Sequence, residues 1–270
     1  MAAPSGKQYG AGFRHVRVYE LDDNGYIDAP DETYYEGMQC VGARAFEFTI
    51  PDIRRIAHTG DDRLLAQTFL PRIEASNAVI RLARSDMDVF AIVTGTLERT
   101  LGEMKMIGYG TSQQGEEPNI GILMYQLTQD AVAKVTRYMS YMFPSARGVI
   151  NPASLNENAN EYTFNIVPNI VTSHLWGEDF VLGTDGFVSA EMVEGQTVSV
   201  PLLVSFKADG IVTKFLYNVA HPAVSAAKSH VCTIDGVVDA TPTFETDGVT
   251  PTAMPGAGEI VTVMYETATI

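Results

Sequence analysis

The residues able to do chemistry are few and scattered. Of the five histidines, His230 lies two positions before Cys232, which puts two soft ligands on the same side of a strand. That is half of a zinc site, but no third or fourth ligand is near in sequence, so both read as strand residues. His58 opens the polar turn Thr59-Gly60-Asp61-Asp62, His221 precedes Pro222 in a loop, and His15 and His174 stand alone. Asp22, Asp23, Asp28, Asp31 and Glu32 cluster around a turn signal. A hard cation such as Ca²⁺ wants several such oxygens, but the alternating spacing of a calcium loop is missing, which leaves a solvated turn. Glu178 and Asp179 beside Trp176 resemble a glycosidase pair with a sugar platform, an arrangement that needs carboxyls about 5 Å apart. Trp176 is more simply a core or subunit-contact residue. No Gly-x-Ser-x-Gly elbow, phosphate loop or His-Glu-x-x-His occurs, and Gly108-x-Gly110 with Gly115 has the wrong spacing for a dinucleotide turn. The expectation is a chain with no catalytic residues, no cofactor and no metal.

Composition points towards surfaces instead. The 270 residues are 46% hydrophobic, and only 19% are charged, below the roughly 25% of an average soluble domain. So few charges imply surface meant for contact, and self-assembly is the reading preferred over a surface rich in Ser, Thr and Asn. The net charge of -15 argues against a nucleic-acid binder held by phosphate contacts. The excess is uneven: residues 161–270 hold 13 acidic and 3 basic residues, against 20 and 15 before them. No apolar run reaches 18 residues, so no membrane partner is expected, and Met1 to Gly12 lacks the apolar stretch of a secretory signal. Cys40 and Cys232 give no disulfide framework, in keeping with a reducing compartment or indifference to redox. Among the aromatic residues, Tyr34, Tyr35, Tyr138 and Tyr141 suit a subunit interface, since tyrosine combines contact area with a polar tip.

Turn signals dictate the elements that carry these residues. Asn24-Gly25, Asp185-Gly186, Asp209-Gly210, Asp235-Gly236 and Asp247-Gly248 each flank β-branched or aromatic runs and accept the positive φ of tight hairpins. Hairpins are expected for Val16–Leu21 with Tyr26–Asp28, Phe180–Leu182 with Phe187–Ala190, and Val198–Lys207 with Ile211–Val219. Further strands are expected at Gly42–Ile50, Glu74–Ala83, Ile120–Leu127, Tyr162–Val167 and Ile260–Tyr265. One helix starts at Ser85 as cap, with Asp86 and Asp88 in its first turn, Met87, Phe90, Ala91 and Thr94 on one face, and Gly95 as the stop. Thr128–Met142 fits a helix by spacing, or a strand ending before Pro144 by alternation. Leu97–Asn119, with four glycines, reads as an arm or flap, and Ala240–Glu259 as a surface segment. The fold class is mainly β: an antiparallel sandwich or barrel with one short flanking helix. Residues 1–225 are expected to form the main domain with its arm at 97–119, and 226–270 a loop and strand extension of it.

Several segments taken together resemble the major tail tube proteins of tailed bacteriophages, of the long-tailed type. Tyr9-Gly10 and Arg14–Gly25 are similar to that family's opening strand and hairpin. Gly42–Thr49, Ile56–Arg63 and Phe69–Arg72 resemble its next strand and loop, Ser85–Gly95 its short helix, and Tyr138–Pro144 with Asn160–Phe164 its later strands. The likeness spans about residues 9–220 and departs at Leu97–Asn119 and Ala226–Ile270. At Val135–Phe143 it favours strand over helix.

The resemblance implies rings, commonly hexamers, that stack into a hollow tail tube. It also implies a virion protein made in the host cytoplasm, whose partners are its own copies and other tail proteins. DNA then passes as cargo during ejection, and an acidic lining drawn from some of the surplus carboxylates from Glu161 onward is expected to keep the duplex sliding. Two alternatives remain at this level: another virion component, such as a tail terminator or decoration protein, and a carbohydrate-binding or carbohydrate-active sandwich using Trp176, Glu178 and Asp179.

Overall fold

The structure, a computed structural model of the chain, describes residues 8–23, 25–29, 34–40, 42–49, 54–60, 63–70, 77–83, 87–96, 98–107, 118–130, 136–151, 162–169, 171–172, 187–188, 191–194, 199–225 and 229–268. The first half of the chain supplies β1 (Gln8–Glu20), β2 (Met38–Cys40), β3 (Ala43–Thr49), β4 (Arg54–Gly60), β5 (Arg63–Leu70), β6 (Asn77–Leu82), α1 (Met87–Thr94), β7 (Glu98–Leu101), β8 (Met104–Ile107) and β9 (Ile120–Asp130). Then come β10 (Thr136–Asn151), β11 (Tyr162–Pro168), β12 (Val171–Thr172), β13 (Phe187–Val188), β14 (Glu191–Glu194) and β15 (Val200–Lys207). The last stretch holds β16 (Phe215–Leu216), β17 (Ser229–Ile234), β18 (Val237–Val238), β19 (Thr243–Phe244), β20 (Gly248–Thr250) and β21 (Ile260–Thr267).

All described pairings are antiparallel. The largest sheet runs β2-β1-β9-β10-β11-β6-β3, with β14 also on β10; a second runs β15-β21-β17-β18 and a third β16-β20-β19. Side-chain alternation stacks these into layers. Along β1, Val16 and Val18 enter one core while Tyr19 enters another; along β9, Ile120, Ile122 and Met124 part in the same way from Leu123 and Tyr125. The first core lies between the large sheet and α1, through Val89 and Val93. The second joins the large sheet to Val200, Leu203, Val231 and Met264 of the four-stranded sheet. The third is closed by Phe215, Tyr217 and Val249 of the three-stranded layer against Leu202, Val204, Phe206 and Tyr265. The order is therefore helix, sheet, sheet, sheet, a mainly β sandwich with one flanking helix. Among the described residues no helix is long and apolar enough to cross a membrane.

Local chemistry sets many element ends. Asp235 (φ 47) and Gly236 (φ 76) both take positive φ in the tight turn between β17 and β18. Gly95 (φ 64) stops α1 where expected. The first hairpin closes through Leu21↔Ile27 and the Asp22 N–H to the Tyr26 carbonyl, 2.8 Å. The strands expected at 42–50, 74–83, 120–127, 162–167 and 260–265 all contain strand.

Several expectations are corrected. Val200–Lys207 does not pair across Asp209-Gly210 with the next run; its partner is β21, from Val200↔Thr267 to Lys207↔Ile260. Asp209 Oδ1 instead accepts the N–H groups of Ile211 and Val212, both at 2.7 Å, which turns the chain towards the third sheet. Phe187–Val188 pairs with Val171–Thr172, while Phe180–Leu182 lies outside the described residues. The region 128–142 is no helix among its described residues: β9 runs to Asp130 and β10 starts at Thr136. Nor does β10 end before Pro144. Its register with β9 shifts between Phe143 and Ala146, a bulge that accommodates a residue lacking an N–H donor, and beyond it β11 replaces β14 as the other neighbour. The helix buries Val89, Val93 and Thr94, whereas Met87 is exposed; the run Val89–Val93 is apolar all round, so periodicity cannot choose its face. Segments expected to be loose hold structure: β7 and β8 form a hairpin within 97–119, and β19 and β20 lie within 240–259.

Candidate functional site

Two features stand out beyond the cores: a polar seam where the sheets meet, and an acidic groove beside the helix. The seam grows from β1. Alternation that sends Val16 and Val18 into the first core turns Arg17 to the other side, where it is only 3% exposed. A buried guanidinium requires a partner. Glu36 supplies it: Arg17 Nη1 lies 3.2 Å from Glu36 Oε1 and donates to the Glu36 carbonyl at 3.2 Å. Burial works against the Arg17 charge, yet the fields of Tyr19, Tyr125 and Glu36 outweigh it and raise its pKa.

The strap that carries Glu36 binds both sheets. Tyr35 exchanges backbone hydrogen bonds with Ser205, at 3.0 and 2.8 Å, and Tyr34 donates to Glu36 Oε2 at 2.9 Å. The hydroxyls of Tyr34 and Tyr265 are 3.2 Å apart, and Tyr265 donates to the His221 carbonyl at 2.8 Å. Tyr217 stacks on Tyr265, 4.0 Å between centroids, and His221 Nε2 is 3.8 Å from Glu36 Oε2. Tyr19 donates from the large sheet to the Leu203 carbonyl at 3.0 Å. The strap passes over the Tyr19 ring through Gly37 (φ +73), where an added Cβ would sit 2.7 Å from a ring carbon. Burial raises the pKa of Tyr19, Tyr34, Tyr125 and Tyr265, and brings Tyr35 up to about 12. These hydroxyls therefore stay protonated and act as hydrogen-bonding struts.

The groove lies between α1 and the start of the large sheet. It encloses about 520 Å³ and is lined by Leu21, Met38, Ala91, Ile92 and Ile120, with Glu20, Asp28 and Asp88 among them. None of its described lining residues is Lys or Arg. Burial, then the field of Asp28, raises the pKa of Glu20.

Of the residues singled out from sequence, Tyr34 and Tyr35 belong to the seam. Tyr138 packs beside the second core, and Tyr141 packs against the first and donates to Gln126 Oε1 at 3.0 Å. All four are partly buried within the chain. Trp176, Glu178, Asp179 and His174 lie outside the described residues, as do Asp31 and Glu32. Cys40 and Cys232 are buried and form no disulfide; burial, then the field of Asp239, pushes the Cys232 thiol up to about 12. His15 Nδ1 lies 2.7 Å from Gln39 Nε2. Among the described residues no three His, Cys, Asp or Glu are grouped to hold a metal.

Sequence reasoning missed Arg17, Glu36 and Tyr265. A basic residue centred in Val16-Arg17-Val18 was a usable signal, but its partner is set by tertiary packing. It also missed Glu266, fully buried on β21, which accepts from the Ser199 hydroxyl. No family model matches the chain, and no curated protein matches it.

Proposed function

We propose that the chain is a structural subunit whose copies join into rings that stack as a tube for DNA, as its resemblance to phage tail tube proteins implies. The observation that carries this reading is the state of the sheet margins. Among the described residues β1 has a ladder partner on its outer side only at Val16–Val18, in the three-residue β2, so Gln8–His15 is paired on one side alone. β3 has a ladder with β6 and with no other described strand; it comes close to β1 but no described ladder joins the two, so the curled sheet is left unsealed. Unpaired strand edges template pairing with another chain, and closure into a larger barrel removes them.

Two further features support the reading. The β4–β5 hairpin, seven and eight residues long, pairs with no other described strand, and a two-stranded ribbon is marginal alone in water. A second copy supplies the missing support. The acidic surplus after residue 160 suits a conduit that must not retain a polyanion. In this reading the protein performs no catalysis and takes no cofactor.

Sedimentation and negative-stain microscopy of the purified full chain over a wide concentration range test it. Rings and cylinders are the expected result. A strictly monomeric chain at every concentration overturns the proposal.

A further inference from the structure

The β7–β8 hairpin turns an apolar face to solvent. In its register Leu101 is opposite Met104, and Met106 is two residues on from Met104, so the three side chains share one face. They are 64%, 61% and 51% exposed, which is unusual for three neighbouring large apolar residues. Thr100, on the other face, is polar. The turn, Gly102-Glu103, is a tight two-residue loop, which makes the hairpin a compact, narrow projection.

The groove beside α1 has the complementary character. Leu21, Met38, Ala91, Ile92 and Ile120 offer apolar walls, and Glu20, Asp28 and Asp88 bring three carboxylates with no described cation among the lining. The hairpin carries Arg99 and Lys105 with Glu98 and Glu103, so it is neutral in a chain of net charge -15. Its register puts Arg99, opposite Met106, on the apolar face and Lys105, opposite Thr100, on the other, so the seated face brings one cation to the groove. Burial, then the field of Asp28, raises the Glu20 pKa, and a cation seated beside it would favour the carboxylate again. The hairpin leaves the rim of its own groove, between Thr96 and Pro118, yet its apolar face does not fill it.

We propose that the apolar face of β7–β8 seats in the α1 groove of a second copy of this chain. Plug and socket are different surfaces, so the contact is head-to-tail and propagates into a closed ring or a stack rather than ending at a dimer. Methionine suits the plug, because its unbranched side chain adapts to an irregular hole. The proposal rests on the assembly reading above and names the contact that carries it.

The test pairs Met104→Cys with Ala91→Cys in one full-length chain, oxidised after concentration. The native Cys40 and Cys232 are buried and stay out of the reaction. Covalent dimers, trimers and higher species, absent from each single variant, are expected on a non-reducing gel. A second variant, Leu101→Ser with Met104→Ser and Met106→Ser, alters only side chains exposed in the lone chain and should fold normally by circular dichroism. It should need at least about tenfold more protein to assemble, since one buried Leu or Met alone is worth that factor. If the wild type assembles while the serine variant assembles equally well and no ladder forms, the plug is wrong and the assembly reading stands. A crosslink confined to monomers also overturns the plug. A wild type that never assembles overturns both.

Discussion

Arg17 shows how one residue binds two sheets. Its side chain is buried and depends on Glu36, which is itself 24% exposed, so the pair is asymmetric. Removing the cation leaves a carboxylate partly desolvated, whereas removing both charges leaves none. We expect Arg17→Ala to cost about 3 kcal/mol in urea unfolding, and Arg17→Met combined with Glu36→Gln to cost clearly less. Tyr125 gives the opposite case. It is fully buried, and its hydroxyl has no hydrogen-bond partner among the described residues. Tyr125→Phe should therefore be neutral, or stabilising by about 1 kcal/mol, in the same measurement. The seam tyrosines also fix an alkaline limit. Their folded pKa values lie above 10, so the unfolded chain loses these protons first. The stability they confer is intact below about pH 10 and falls as pH rises towards 12, the value for Tyr35. Tyrosinate absorbance should rise together with loss of near-ultraviolet dichroism; full ionisation with the fold intact would contradict the burial argument.

Elements here are held by neighbours more than by their own propensity. The strap from Tyr34 to Cys40 crosses the Tyr19 ring, which only a residue without a Cβ allows at position 37. Gly37→Ala adds both a steric clash and a positive-φ penalty, and we expect a loss of about 2 kcal/mol. Thermal unfolding would read it directly. The eight-residue α1 is too short to persist alone and depends on Val89 and Val93 in the first core. Leu203, 1% exposed between the large and four-stranded sheets, is a keystone of the second core. Leu203→Ala should cost about 3 kcal/mol in urea unfolding, because the surrounding sheets cannot collapse into the space.

At the scale of the whole molecule, the stack of helix and three sheets leaves strand edges without a ladder partner among the described residues, and an apolar hairpin facing outward. In the proposed reading such surfaces are half of a contact. If copies close into an acidic conduit, duplex DNA should not be retained by assembled protein at physiological salt, as measured by co-sedimentation. Retention that weakens steeply with salt would point to a basic bore and refute that arrangement.

The sequence by itself determined the β class, most strand positions, the stop of α1 at Gly95 and the turn at Asp235-Gly236, because each depends on local backbone chemistry. The pairing of strands was a different matter. Asp209-Gly210 marked a turn correctly, yet the strand before it found β21, more than fifty residues on. The strands that sit between two cores, such as Val200–Phe206, are buried on both faces, so they carry no polar-apolar alternation to announce a partner or a layer. The seam was hidden for the same reason: Arg17, Glu36 and Tyr265 are far apart along the chain. Only the stacking of sheets, which pays the desolvation of Arg17 with the carboxylate of Glu36, brings Arg17 onto Glu36 and links Tyr265 to that carboxylate through Tyr34.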